Sequence, residues 1–118
     1  MKTLFTLFAF FCFAHSAFAT DFIEGMEDVP MMSGLMQTES DSIAFGNEES
    51  RFIETYLSGD FSFSEVEDFY LETLPQLGWS FESRKQNALS FKRDKDVIDI
   101  VREEASPLLV RITLKSRE

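Results

Sequence analysis

The chain has 118 residues, 44% of them hydrophobic, and a formal net charge of −10. That length suits one small domain, and the acidic balance excludes the basic footprint that nucleic-acid binding needs. A single cysteine and a single histidine exclude a disulfide framework and leave little room for zinc chemistry.

The chain begins MKTLFTLFAFFCFAHSAFAT. Lys2 supplies a positive start, residues 4–14 an apolar run, and Ala17-Phe18-Ala19 an A-x-A cleavage site. This grammar predicts a secretory signal peptide over residues 1–19, cut after Ala19, and export to the periplasm. The run is much shorter than the about 20 apolar residues needed to span a bilayer, so no transmembrane segment is expected after cleavage. Cys12 follows the bulky Phe11, not the small residue that a lipid-modified cysteine requires, and it reads as filler of the apolar run.

Cleavage would remove Lys2, Cys12 and His15 and take the net charge from −10 to −11. The remaining 99 residues hold no histidine and no cysteine. A Ser-His-Asp triad, a cysteine nucleophile and a His- or Cys-ligated zinc are then impossible. Ser-Lys catalysis needs a buried, desolvated lysine, and each lysine falls in a turn or on the polar side of a strand. The chain reads as a non-enzyme, with carboxylate chemistry alone left open. No cofactor is expected.

Charge is lopsided. Residues 20–82 carry fifteen acids and one base, Arg51, whereas residues 83–118 carry nine bases and six acids. Such a split speaks to solubility and to attraction between the halves more than to activity.

Residues 20–41 read as an N-terminal arm, acidic yet too apolar for a free linker. Extended or turn-like structure is expected there. The segment MEDVPMMSGLM holds Met26, Met31, Met32 and Met36. Methionine fills irregular apolar gaps, which favours packing. The same residues could form a greasy surface for a partner. Thioethers also favour Cu(I), which makes Met31, Met32 and Met36 candidate ligands.

One α+β domain is expected over residues 42–116. Residues 42–45 read as a strand, 46–49 as a turn and 51–58 as a second strand, with alternation and β-branching. Ser62 and Glu65 make an S-x-x-E capping box, with Phe61 and Val66 placed for a hydrophobic staple. Val66, Phe69, Tyr70, Leu74 and Leu77 then recur as one helical stripe. Glu65, Glu67, Asp68 and Glu72 are expected on other, solvated faces. Pro75 removes a backbone donor near the helix end, and Gly78 suits the terminating position. Trp79 starts the return into the sheet. Residues 79–84, 88–92, 97–102 and 108–114 read as four alternating strands joined by polar turns.

The predicted order is β-β-α-β-β-β-β. A single helix can cover only one face of an antiparallel sheet, which gives a two-layer α+β sandwich. The helix stripe should meet Leu89, Phe91, Ile98, Ile100, Val110 and Ile112. Arg84, Lys92, Asp99, Arg111 and Lys115 are expected on the other face. Tyr70, Leu74, Leu77 and Trp79 could line a small-ligand pocket between helix and sheet, although such groups more often make the core. The acids show no calcium-loop spacing.

Two segments carry a resemblance. Residues 28–35, DVPMMSGL, are similar to a D-[VI]-P-L-M-P-G-L segment. Residues 69–79, FYLETLPQLGW, resemble an F-Y-x-x-x-L-P-x-L-G-W segment. Both recur in an uncharacterised family of small exported alphaproteobacterial proteins. Met31 replaces the leucine of the first pattern, and Ser33 replaces its second proline. The resemblance implies export and a fold but brings no catalytic residues. On these grounds the expected function is a non-enzymatic module that binds another envelope protein or supports envelope assembly. The alternative is a Cu(I) or small-ligand carrier that uses the methionine-rich arm.

Overall fold

Period-two alternation of apolar and polar residues builds most of the molecule. The computed structural model describes residues 21–47 and 50–116, and the leader read in residues 1–19 lies outside them. Among the described residues there are eight strands. They are β1 (Phe22–Ile23), β2 (Met26–Pro30), β3 (Met36–Gly46), β4 (Arg51–Gly59), β5 (Ser80–Lys85), β6 (Ala88–Arg93), β7 (Asp96–Ala105) and β8 (Leu108–Ser116). A helix, α1 (Phe63–Thr73), follows β4 and runs into a 3-10 turn, Leu74–Leu77. Strands β1 and β2 pair as a small hairpin. The other six form one antiparallel sheet in the order β3-β4-β8-β7-β6-β5.

The α+β class and the antiparallel sheet agree with expectation. The element order does not: it is β-β-β-β-α-β-β-β-β instead of β-β-α-β-β-β-β. The difference lies in the arm, where Gly25 turns the chain at φ 91° between β1 and β2. Strand β3 also begins at Met36, not at Ser42. Residues 37–42, QTESDS, carry no apolar alternation and so give no strand signal. Their pairing is irregular too: the register shifts between Thr38, which faces Tyr56, and Ile43, which faces Glu54.

The helix starts as its sequence directs. Ser62 Oγ accepts from the Glu65 amide at 3.2 Å, and Glu65 Oε1 accepts from the Ser62 amide at 2.9 Å. This reciprocal pair satisfies two amides that the first turn cannot bond internally. Phe63, Val66, Tyr70 and Leu74 are buried beneath it. Pro75 sits where the helix tightens into the 3-10 turn. Gly78, at φ 94°, ends it with its amide on the Leu74 and Pro75 carbonyls, a left-handed conformation that favours glycine.

One face of the sheet faces the core. Strand register places Thr55, Ile112, Ile100, Leu89 and Arg84 in one row across it, and Ile53, Leu114, Ile98, Phe91 and Phe81 in the next. Leu89, Phe91, Ile98, Ile100, Val110 and Ile112 are all buried in the same cluster as the helix stripe.

Two expectations are corrected here. Arg84 lies on the core face, because β5 carries an extra residue between Phe81, which faces Phe91, and Ser83, which faces Ser90. Such a bulge shifts the alternation by one. Glu67 is buried instead of solvated, and Arg84 Nη2 donates to its Oε1 at 3.0 Å. A charged residue on the edge of the apolar stripe thus finds its partner on the shifted strand.

Candidate functional site

The arm folds back as a strap on the core. Ile23, Met26, Val29 and Leu35 are buried in the main cluster. Tyr70 anchors the strap from the helix. Its hydroxyl donates to the Pro30 carbonyl at 2.7 Å, and the Met32 amide also bonds the hydroxyl. Burial pushes the Tyr70 phenol well above its ordinary range, with the Met32 contact acting weakly the other way. Arg93 anchors the strap from β6. Its guanidinium pairs with Asp28, donates to the Leu77 carbonyl at 3.1 Å, and lies 4.3 Å from the centre of the Trp79 ring. Gln37 completes the attachment, since Oε1 accepts from the Glu24 amide and Nε2 donates to the Glu24 carbonyl and to Thr55 Oγ1.

The methionines divide by position. Met26 is 1% exposed and belongs to the core, while Met31 and Met32 are half-buried and pack against it. Met36 is 70% exposed. Its strand neighbour Gln37 faces the core side, where it bonds Thr55, so Met36 points to the opposite face. The structure therefore brings Met31 and Met32 together on the strap and sets Met36 apart from them. Among the described residues, no group of three or more His, Cys, Asp or Glu is placed to hold a metal ion.

Tyr70, Leu74 and Trp79, read as possible pocket lining, are fully packed core residues, and Leu77 is partly exposed at the turn. Trp79 Nε1 is buried without an acceptor among the described residues. Ser62, Glu65, Pro75 and Gly78 shape the two ends of the helical segment, and Phe69 packs edge-on to Tyr70 at 4.8 Å.

Asp99, Arg111 and Lys115 lie on the face of the sheet turned away from the helix, as expected, but that face also carries an apolar patch with no counterpart in the sequence reading. Ile43 and Phe45 on β3 are 48% and 62% exposed. Phe45 stacks on its cross-strand partner Phe52 with ring centroids 5.1 Å apart. Beside them a shallow cavity of about 350 Å³ is lined by Phe52, Glu54, Ser90, Asp99, Arg111 and Lys115, among others. Lys115 pairs with Asp99 at 3.7 Å, and Ser90 Oγ donates to Asp99 at 2.7 Å. Arg111 Nε lies 3.1 Å from Glu103 Oε2, an ion pair whose N–H direction misses hydrogen-bond geometry. A second open cavity, about 560 Å³, sits by the β3–β4 turn against Ala44, Phe45, Arg51 and Ile53. Only part of this patch has a sequence signal: Phe52 alternates against Ile53, Thr55 and Leu57, whereas Ile43 and Phe45 take their face from the register with β4.

No helix among the described residues is long and apolar enough to cross a membrane. No protein-family model, curated protein or solved structure matches the chain, so its functional reading rests on the geometry of the strap and the uncovered sheet face.

Proposed function

We propose that the chain is an exported, non-enzymatic module of the periplasm that binds another envelope protein on the uncovered face of its sheet. The carrying observation is the exposed Ile43–Phe45 pair, with Phe45 stacked on Phe52. Apolar side chains grouped in this way on a small monomer mark interaction surfaces more often than scattered ones do. Aromatic anchors next to charged groups are the usual centre of such a surface. Export rests on the leader pattern of residues 1–19, and the family resemblance of residues 28–35 and 69–79 supports it. The two-layer description belongs to the same reading: α1 and the strap cover one face, and the bare face does the binding. Strand β3 lies at the edge of the sheet, so an extended partner segment could also add to it through backbone hydrogen bonds.

The test is capture from envelope extracts by photo-cross-linking from position 54, the cross-strand partner of Ile43 on the same face, in the wild-type background and in an Ile43→Ser/Phe45→Ser double variant. A specific cross-linked partner, lost in the variant while circular dichroism stays unchanged, is expected. A wild-type chain that captures nothing, or a partner retained by the variant, refutes the reading.

A further inference from the structure

We propose that Met31 and Met32 form a peroxide-sensitive modification site, whose conversion to sulfoxide releases the strap from the core. This does not depend on the partner reading. It rests on three observations.

The first is graded access. Met36 is open to solvent, Met31 and Met32 are half-buried, and Met26 is closed off in the core. A peroxide reaches these sulfurs in that order.

The second is where the two intermediate methionines sit. The Met31 amide donates to the Asp21 carbonyl at 2.8 Å, and the Met32 carbonyl accepts from the Leu35 amide at 3.0 Å. The Met32 amide and the Pro30 carbonyl both meet the Tyr70 hydroxyl. The two sulfurs thus belong to the residues that fasten the strap.

The third is the chemistry of the product. A sulfur lone pair attacks one peroxide oxygen, the O–O bond breaks, and the departing hydroxide takes the proton from the transferred oxygen to leave as water. Sulfur gives up two electrons and hydrogen peroxide is reduced. The thioether becomes a polar sulfoxide that disrupts apolar packing. Both side chains pack against the main cluster, whose side chains are mostly hydrocarbon and whose Tyr70 hydroxyl is already donated to the Pro30 carbonyl. Turning outward to water pulls the strap with it. Met36 already faces solvent, so its oxidation changes nothing of the kind.

The experiment is a hydrogen peroxide titration of the purified chain, read by peptide mass mapping and by amide hydrogen exchange. Met36 should be oxidised first, with exchange unchanged. Met31 and Met32 should follow, and exchange across residues 22–35 should then rise tenfold or more while β7 and β8 stay protected. A Met31→Leu/Met32→Leu variant should keep its strap protected at the same peroxide dose, and Met36→Leu should not. Full sulfoxidation of Met31 and Met32 with unchanged strap exchange would overturn the proposal. So would strap opening in the double-leucine variant, or oxidation of Met26 as early as that of Met31 and Met32.

Discussion

Replacing Tyr70 with Phe isolates the hydrogen-bonded part of the strap. The ring of this fully buried side chain is kept, so packing is retained. The loss is the 2.7 Å bond to the Pro30 carbonyl and the contact with the Met32 amide. Pro30 is itself buried, so its carbonyl cannot meet water unless the strap lifts. An unsatisfied buried group costs about 1–3 kcal/mol, and a loss of about 2 kcal/mol is expected here. In a domain of this size that lowers Tm by roughly 8–16 °C. The pH dependence gives a second reading. Burial raises the Tyr70 phenol above its ordinary value near 10. Above that pH the unfolded chain releases the proton while the folded chain keeps it. Wild-type stability therefore falls as pH rises past 10, by up to about 1.4 kcal/mol per unit, and Tyr70→Phe lacks this limb. The gap between the two proteins should be full at pH 7–9 and shrink to about 0.6 kcal/mol by pH 11. Urea unfolding of both proteins at pH 7, 9, 10 and 11 measures it, and titrations common to both cancel. A gap under about 0.5 kcal/mol at pH 7, or one that does not narrow above pH 10, refutes the argument.

Arg93→Ala removes three contacts at once and should cost about 1–2 kcal/mol in denaturant unfolding, whereas Asp28→Ala removes one partly exposed pair and should cost under about 1 kcal/mol. Gly34→Ala would place a Cβ 2.7 Å from the Phe61 ring at φ +98°, so a loss of about 1–3 kcal/mol is expected. Adding Phe61→Leu should return part of that loss, as read from the same unfolding midpoints. Arg84→Ala leaves the Glu67 carboxylate buried without its partner and should destabilise by about 1–2 kcal/mol, reduced because Arg84 is half-exposed. The Arg84→Ala/Glu67→Leu double variant should recover most of it, and a double variant no better than Arg84→Ala would contradict the pairing.

The helix was the most legible element, because its signals are local. The Ser62–Glu65 box, the stripe through Val66, Tyr70 and Leu74, and the Gly78 stop each need only residues within one or two turns. The last three strands are equally legible from alternation, and their buried apolar residues fall where that alternation puts them. What escaped detection depends on pairing across distance. The β5 bulge, visible only in the register with β6, moved Arg84 to the core face and with it explains the burial of Glu67. The early start of β3 depends on β4 as a partner, since its own residues 37–42 are polar. Ile23, Met26, Val29 and Leu35 pack on the core, one of the alternatives that the arm's apolar content leaves open, whereas its hairpin has no sequence signal because β1 is only two residues long. Ile43 and Phe45 carry the same local strand signal as core residues, and only the register with β4 sets them on the outer face, where they are exposed.

The strap's fastenings come from elements far from it in sequence. Tyr70 lies 40 residues from Pro30, and Arg93 lies 65 from Asp28. Closing loops of that length costs chain entropy before any contact forms. Strand pairing within the sheet and the packing of α1 meet most of that cost, since both anchors are then already in position. The strap is held by its own hairpin and a few side-chain fastenings, so its opening free energy can lie below that of the whole fold. The uncovered face is different in kind. Ile43 and Phe45 are held through β4, which is bonded on both sides, so that patch stays in place when the strap opens. The proposed partner surface and the proposed oxidation site are then separate parts of the molecule. They meet only in β3, which leaves the strap at Leu35 and carries the exposed Met36, Ile43 and Phe45 along the sheet's edge.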